Sequence, residues 1–414
     1  MPETPSPLQP EDLATHRWLV PHDELRRRVA ALQARLVAAD IDVALVHVNA
    51  DCNYVAGSIL DGWVLVPAAG EPLVLARRAA ERIAAETCWE VHRAPQTAAL
   101  VAALRKLGCV RGRIAVALDV LPAARYLRLV AELPGAELVD LTPHVRRVRA
   151  IKSAWELALH ERAARQVEDA MITVVRQVAP GHTELDAQRL AEGCLRSSGH
   201  QGVIRMRRAG GEIFFGEALA GRNAALPAFL DAPLGGSGLY PSVGMGSSTQ
   251  QLVDGDLLIL DFMGADNGYL SDCTRVCAVG DIDAIDHDLI VAQHWCTELL
   301  GELQAAAVPG ALPSTIYALA LERAADAGYG ANFMGAAPDQ ARFVGHGVGL
   351  EVDEYPFFAH GHEAPLKVGM VFAIEPKLVF AGRAAVGIED TFVLTGGGAV
   401  ALPALPRQVL VGET

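Results

Sequence analysis

Five residues stand out for their type and spacing: Asp261, Asp272, His346, Glu375 and Glu389. The two aspartates flank an Asp266-Asn267-Gly268 reversal, whose residues tolerate the positive φ angles of a tight turn. A loop centred between Asp266 and Asn267 predicts a hairpin with Asp261 directly opposite Asp272, and opposite residues share a face. A second hairpin, centred on Gly382, places Glu375 opposite Glu389. Carboxylates side by side on apolar hairpins repel unless a cation lies between them. Between the hairpins, Gly345-His346-Gly347-Val348-Gly349 presents one imidazole among residues too small to obstruct it. Four carboxylates and a histidine form a hard, oxygen-rich set, suited to two divalent ions such as Mn²⁺, Co²⁺, Fe²⁺ or Zn²⁺ with bridging carboxylates. One such pair would pass for solvent-facing strand acids. Two pairs in register with a glycine-flanked histidine point to a metal centre.

The elements that must position these residues belong to the second of two expected domains, 1–150 and 151–414. In the first, apolar spacing predicts a helix over 23–39, and short β-branched runs (Val43–Val48, Trp63–Val66, Leu73–Leu75, Ile114–Leu118) alternate with helical stretches. That pattern reads as an α/β domain without a catalytic constellation. A basic stretch, Arg146–Ser153, reads as a solvated hinge. Ser153 and Glu156 then form a capping box that opens a helix over 154–178, and Thr183 opens another. Beyond residue 200 the chain turns glycine-rich and strand-like, carries helices over 285–306 and 314–327, and returns to strands from Arg342. This is an α+β domain of about 250 residues. The glycine runs 235–238 and 244–248 read as a mobile lid or as tight loops.

With 414 residues, 51% hydrophobic and 20% charged, the chain has the profile of a globular protein. Its net charge of −14 opposes nucleic acid as a partner, and no apolar run reaches the length of a membrane span. None of the four lysines (106, 152, 367, 377) follows a glycine, which excludes a Walker phosphate loop. The seven cysteines form no CxxC pair and read as reduced core thiols, in keeping with a cytoplasmic location.

The segments Asp261-Phe-Met-Gly…Gly268-Tyr-Leu-Ser-Asp272-Cys-Thr-Arg275, Gly345-His346-Gly-Val-Gly-Leu350, Ile374-Glu375-Pro376 and Gly387-Ile-Glu389-Asp-Thr391 resemble, in order and spacing, the signature segments of the M24 metallopeptidases. That family includes prolidase, Xaa-Pro aminopeptidase, methionine aminopeptidase and the metal-free creatinase. The resemblance spans residues 150–405, and the N-terminal domain resembles the creatinase/prolidase type. It implies a pita-bread (creatinase/aminopeptidase) catalytic domain and a homodimer. It further implies a dinuclear site in which Asp272 and Glu389 bridge both ions, Asp261 completes one, and His346 and Glu375 complete the other.

The residues around that set depart from the family. Pro241-Ser242 stands where relatives have Pro-His, Arg342 replaces a histidine four residues before His346, Asp353-Glu354 replaces His-Glu, and Gly387 replaces a substrate-contacting arginine. Arg342 is then a candidate for a fixed positive charge near the substrate or for a structural salt bridge, and Asp353 for a general base raised by burial or for the cap of a turn. His360 and His362 read as surface histidines of a polar loop. The expected activity is hydrolysis of an amide bond of a small peptide, of Xaa-Pro dipeptidase or aminopeptidase type, through a metal-bridging hydroxide. The altered surroundings keep open a small non-peptide substrate, for an amidohydrolase or lyase. A non-catalytic scaffold is the third reading, disfavoured because all five ligands are present.

Overall fold

The computed structural model describes residues 9, 11, 13, 15–94, 96–208 and 212–412. The chain divides into two compact units, one running to Arg149 and taking in Arg207 and Arg208, the other comprising the rest from Ala150 onward.

The first unit is an α/β domain. Its strands β1 (Val43–Val46), β2 (Gly62–Pro67), β3 (Leu73–Ala76), β4 (Glu90–Arg93), β5 (Arg113–Val116) and β6 (Glu137–Asp140) form one sheet in the order β4-β3-β2-β1-β5-β6. β1 with β5, β5 with β6 and β3 with β4 run parallel, while β2 is antiparallel to both neighbours. The expected helices appear as α1 (His22–Ala38), α3 (Ala80–Glu86) and α4 (Thr97–Lys106). Three more, α2 (Asn49–Ala56), α5 (Ala123–Glu132) and α6 (Thr142–Arg149), were not expected from the sequence.

The basic stretch at the end of this unit is not a solvated hinge. Residues 142–149 are helical, and Arg149 is buried, with Nη1 2.6 Å from Asp51 Oδ1. Asp51, itself buried, also accepts from Arg207 Nη1 at 2.9 Å. Lys152 is buried in the second unit, 3.4 Å from Glu354. Long cationic side chains look solvated by composition, but buried carboxylates elsewhere in the chain draw these in.

The second unit opens with α7 (Ala154–Gln177) and α8 (Glu184–Ser197). Both start with a formed capping box, Ser153 with Glu156 and Thr183 with Asp186. Next come β7 (Gly216–Ala220), the single helical turn α9 (Gly221–Ala224), and the long hairpin of β8 (Leu257–Asp266) and β9 (Tyr269–Ala278). Helices α10 (His287–Ala306) and α11 (Pro313–Asp326) lead to β10 (Phe343–Gly347), β11 (Glu354–Ala359), β12 (Val371–Ile374), β13 (Lys377–Phe380), β14 (Ala384–Gly387), β15 (Glu389–Thr395) and β16 (Gly398–Ala401). The main sheet is antiparallel throughout, in the order β11-β10-β12-β15-β9-β8-β7 with β16 beside β15, and β13 and β14 form a ribbon of their own.

Strand alternation decides which residues meet the helices. Leu258, Leu260 and Phe262 of β8 and Cys273 and Cys277 of β9 join Val167, Ala170, Met171 and Val174 of α7 and Ala187, Ala191 and Leu195 of α8 in one core. Met263 and Ala265 point the other way, into a smaller cluster with Leu270, Val348, Val371 and Ala373. Asp261 shares their parity. All seven cysteines are free, and no helix among the described residues is long and apolar enough to cross a membrane.

Helix α7 lies so close on β8 that a side chain at Gly264 has no room: a Cβ there would sit 1.9 Å from the Ala163 carbonyl oxygen. Because that obstacle is backbone, Gly264→Ala is expected to cost about 2–3 kcal/mol. Urea unfolding should show a lowered midpoint with an unchanged slope.

Candidate metal centre

The sheet register places the sequence-derived residues. Across three strands, Glu217 of β7 pairs with Asp261 of β8, and Asp261 pairs with Thr274 of β9. Thr274 in turn pairs with Glu389 of β15. One transverse row therefore carries three carboxyl groups and a hydroxyl. Asp272 does not lie opposite Asp261, as expected from the sequence; it pairs with Met263. The reversal has only two residues, Asn267 (φ 45°) and Gly268 (φ 95°), with Asp266 paired to Tyr269, so the register is shifted by two. An even shift keeps the facing, and both aspartates remain on one side of the sheet. In the second hairpin the expected register holds: Ile374 pairs with Asp390 and Lys377 with Gly387, which brackets Glu375 against Glu389. His346 joins from β10, paired to Ala373.

The five side chains converge. Asp272, His346 and Glu389 each offer a ligand atom within 4.8 Å of the others. His346 Nε2 lies 3.3 Å from Glu375 Oε1 and 4.0 Å from Glu389 Oε1. Its Nδ1 faces the Gly347 carbonyl at 3.3 Å, which leaves Nε2 for the carboxylates. Thr274 Oγ1 donates to Glu389 Oε2 at 2.9 Å, and Thr391 Oγ1 accepts from the Asp272 amide at 2.8 Å.

A sixth residue, not singled out from the sequence, lies at the centre. Lys377 Nζ donates to Glu375 Oε2 at 2.7 Å, Asp261 Oδ2 at 2.9 Å and Glu389 Oε2 at 3.0 Å. Its side chain is 1% exposed. A signal was present: residues 375 and 377 share a strand face, and Gly387, opposite Lys377, leaves the space the lysine uses. A Cβ on Gly387 would lie 2.5 Å from Lys377 Cγ.

Burial and charge set the protonation. Burial alone would neutralise Lys377, but Asp261, Glu375 and Glu389 hold it charged, well above the ordinary lysine range. Burial would raise Glu375, yet Lys377 and His346 bring it down to about 2. Glu389, raised by burial and by Glu375 and Asp261 against the opposing pull of Lys377, is pushed up to about 7. Burial, Glu389 and Asp261 hold Asp272 well above the carboxylate range. Burial would depress His346, but Glu375, Glu389 and Asp272 outweigh it and push it up to about 10. Glu217 is raised by burial and by Asp261, so it stands as a neutral acid.

Above this cluster lies a cavity of about 160 Å³. Met206, Phe214, Leu234, Met245, Met263, Phe343 and Val352 give it apolar walls. Asp353 lines it and is partly buried. Arg342 does not line it: the side chain is exposed, and its backbone amide donates to Asp231, which does. Ser242 and His360 are exposed and outside the lining, and His362, also outside it, is half-buried against Phe357. The glycine-rich loops close on themselves, with the Gly238 amide on the Gly246 carbonyl and the Gly246 amide on the Gly235 carbonyl. Buried Glu184 ties them to β7. It accepts from the Ala220 amide (2.7 Å), Asn223 Nδ2 (2.6 Å), and the Ser248 amide and hydroxyl (2.9 and 2.7 Å). Asn223 Oδ1 in turn holds the Ser237 amide at 2.8 Å.

Three buried carboxyl oxygens here have no hydrogen-bond partner: Asp272 Oδ1 and Glu389 Oε1 beside His346, and Oε2 of the neutral acid Glu217. Buried carboxyl oxygens without donors, beside an imidazole nitrogen, fit a divalent cation that would take the place of their protons. A pita-bread sheet carrying such a cluster defines a class of metal-dependent hydrolases. Residues 158–396 match the metallopeptidase family M24 and residues 28–151 the creatinase/prolidase N-terminal domain, and the chain belongs to family M24. A probable dipeptidase PepE of Mycobacterium bovis is 28% identical over 93% of this chain and 96% of its own. The Xaa-Pro dipeptidase of Pyrococcus furiosus is 27% identical over 64% of this chain and 66% of its own. Among solved structures, dipeptidase PepE of Mycobacterium ulcerans superposes with a TM-score of 0.79 at 26% identity, covering 95% of this chain and 99% of its own. The prolidase of Pyrococcus horikoshii, at 22% identity, shares the fold with a TM-score of 0.77 over 93% of this chain and all of its own.

Because Glu389 and His346 titrate near 7 and 10 without metal, a divalent ion must displace protons to use them. The raised values mean protonated groups at low pH, so affinity should fall as pH falls. Calorimetric Mn²⁺ titrations at pH 6.5 and 8, in buffers of different ionisation heat, should show at least one proton released per ion and weaker binding at pH 6.5.

Proposed function

We propose that this chain is a metal-dependent hydrolase of small peptides, of Xaa-Pro dipeptidase or aminopeptidase type. The observation that carries the reading is the pair of partnerless carboxylate oxygens beside His346, at the floor of an apolar cavity. The names of the relatives support the same activity. Asp272, His346 and Glu389 would hold a divalent ion, with Glu375 beside them. Such an ion supplies a water made acidic enough to attack at neutral pH, and a Lewis acid for the carbonyl. In the two-ion form of the reading, with a bridging hydroxide, Asp261 would complete the second site, and Lys377 would have to leave it.

The chain's own residues do the rest. Phe214, Leu234, Met245 and Phe343 offer a dry wall to a proline ring or apolar side chain and keep bulk water from the scissile bond. Thr274 fixes the Glu389 carboxylate. Asp353, on the cavity wall, is the proposed proton-transfer residue, while Arg342, exposed and outside the cavity lining, is given no role at the reacting bond.

A small non-peptide amide is the second reading, favoured by a wall that, among the described residues, presents no histidine other than His346. Mn²⁺- or Co²⁺-loaded protein should hydrolyse Xaa-Pro dipeptides or Xaa-Pro-Yaa tripeptides. His346→Ala should cost more than the 10–100-fold that loss of a ligand's outer hydrogen-bond partner typically costs. Absence of turnover on both peptide lengths by metal-loaded protein would sink the peptidase reading and leave small amides.

A further inference from the structure

The carboxylate cluster is divided oxygen by oxygen between two cationic partners. Glu375 gives Oε2 to Lys377 and turns Oε1 to His346, 3.3 Å away. Glu389 likewise gives Oε2 to Lys377 and leaves Oε1 on the histidine side without a partner. Asp261 spends Oδ2 on the ammonium, and Asp272 Oδ1 is free on the other side. One half of the cluster is therefore occupied by an ammonium, which cannot ligate a metal, and the other half faces an imidazole, which can.

From this division we infer that the Lys377 ammonium is a built-in cation filling one of the two positions of the centre, so that the chain binds a single divalent ion, at Asp272, His346 and Glu389. This rests on the metal-centre reading above but not on the substrate.

Three observations support it. An ammonium 2.7–3.0 Å from three carboxylates occupies the space an ion would need to ligate Asp261, Glu375 and Glu389 together. The lysine is accommodated, since it runs past Gly387, where any side chain would collide with it. Charge acts in the same direction: a second divalent ion beside the ammonium, in a site from which apolar walls exclude water, would meet strong repulsion at close range.

The test counts ions on the full-length protein. Metal-free protein is equilibrated with saturating Mn²⁺ and freed of unbound ion, and bound metal is measured by plasma mass spectrometry and by EPR. The wild type should hold one ion per chain, with the six-line spectrum of isolated Mn²⁺. Lys377→Gly should hold two, with an exchange-coupled spectrum. Asp261→Asn should still hold one, and Glu389→Gln none. Two ions, or none, in the wild type overturns the inference, as does a single ion in folded Lys377→Gly. Should Lys377→Gly fail to fold, the wild-type count and Asp261→Asn decide alone. One ion without peptidase activity refutes the proposed function and leaves the inference standing. Two ions with activity does the reverse.

Discussion

The second unit depends on a concentration of negative charge that it cannot leave uncompensated. Asp261, Asp272, Glu375 and Glu389 converge within a few ångströms, three of them almost wholly buried. Isolated carboxylates in such surroundings would protonate or force the strands apart. The sheet holds them together because cationic partners are supplied with equal care. Lys377 sits among three of them, and His346 closes the far side. Behind β15, on the opposite face from Glu389, Asp390 takes Arg275 at 2.6 Å and Arg407 at 2.8 Å. Those arginines keep a second acid on the same strand from adding to the repulsion in front.

Much of this was readable from residue types and spacing. The α/β first domain, the capping box of α7, the helix start at Thr183 and the candidate carboxylates with His346 follow from residue patterns, turn chemistry and strand alternation, whereas the pita-bread fold of the second domain came from the resemblance to the M24 family. The first hairpin was misplaced by two residues because Asp-Asn-Gly offers two positions for a tight turn, and local chemistry does not choose between them. The parity of a β-strand protected the conclusion from that error, since an even slip changes neighbours and not faces.

Lys377 and Glu217 were missed for a different reason. Each is unremarkable locally, and each acquires its meaning from a residue on another strand: Gly387 across the ribbon for the lysine, Asp261 across the sheet for the glutamate. The same holds for Arg149 and Lys152, whose buried partners lie about 100 and 200 positions away in sequence. Arg342 was singled out because it stands where relatives carry a histidine; it occupies an exposed position just before β10 and does not line the cavity.

Glu184 gives the cavity a character of its own. One carboxylate at the start of a helix grips β7, the turn after it and Ser248, and through Asn223 it reaches the glycine loop as well. The wall bearing Met245 is thus fixed from behind, by a group that never touches the cavity. A wall fixed in this way acts as a mould. Its selectivity can be recast one side chain at a time, at Phe214, Leu234 or Met245, while the charged floor stays as it is. Such a scaffold can change what it accepts without relearning how to fold.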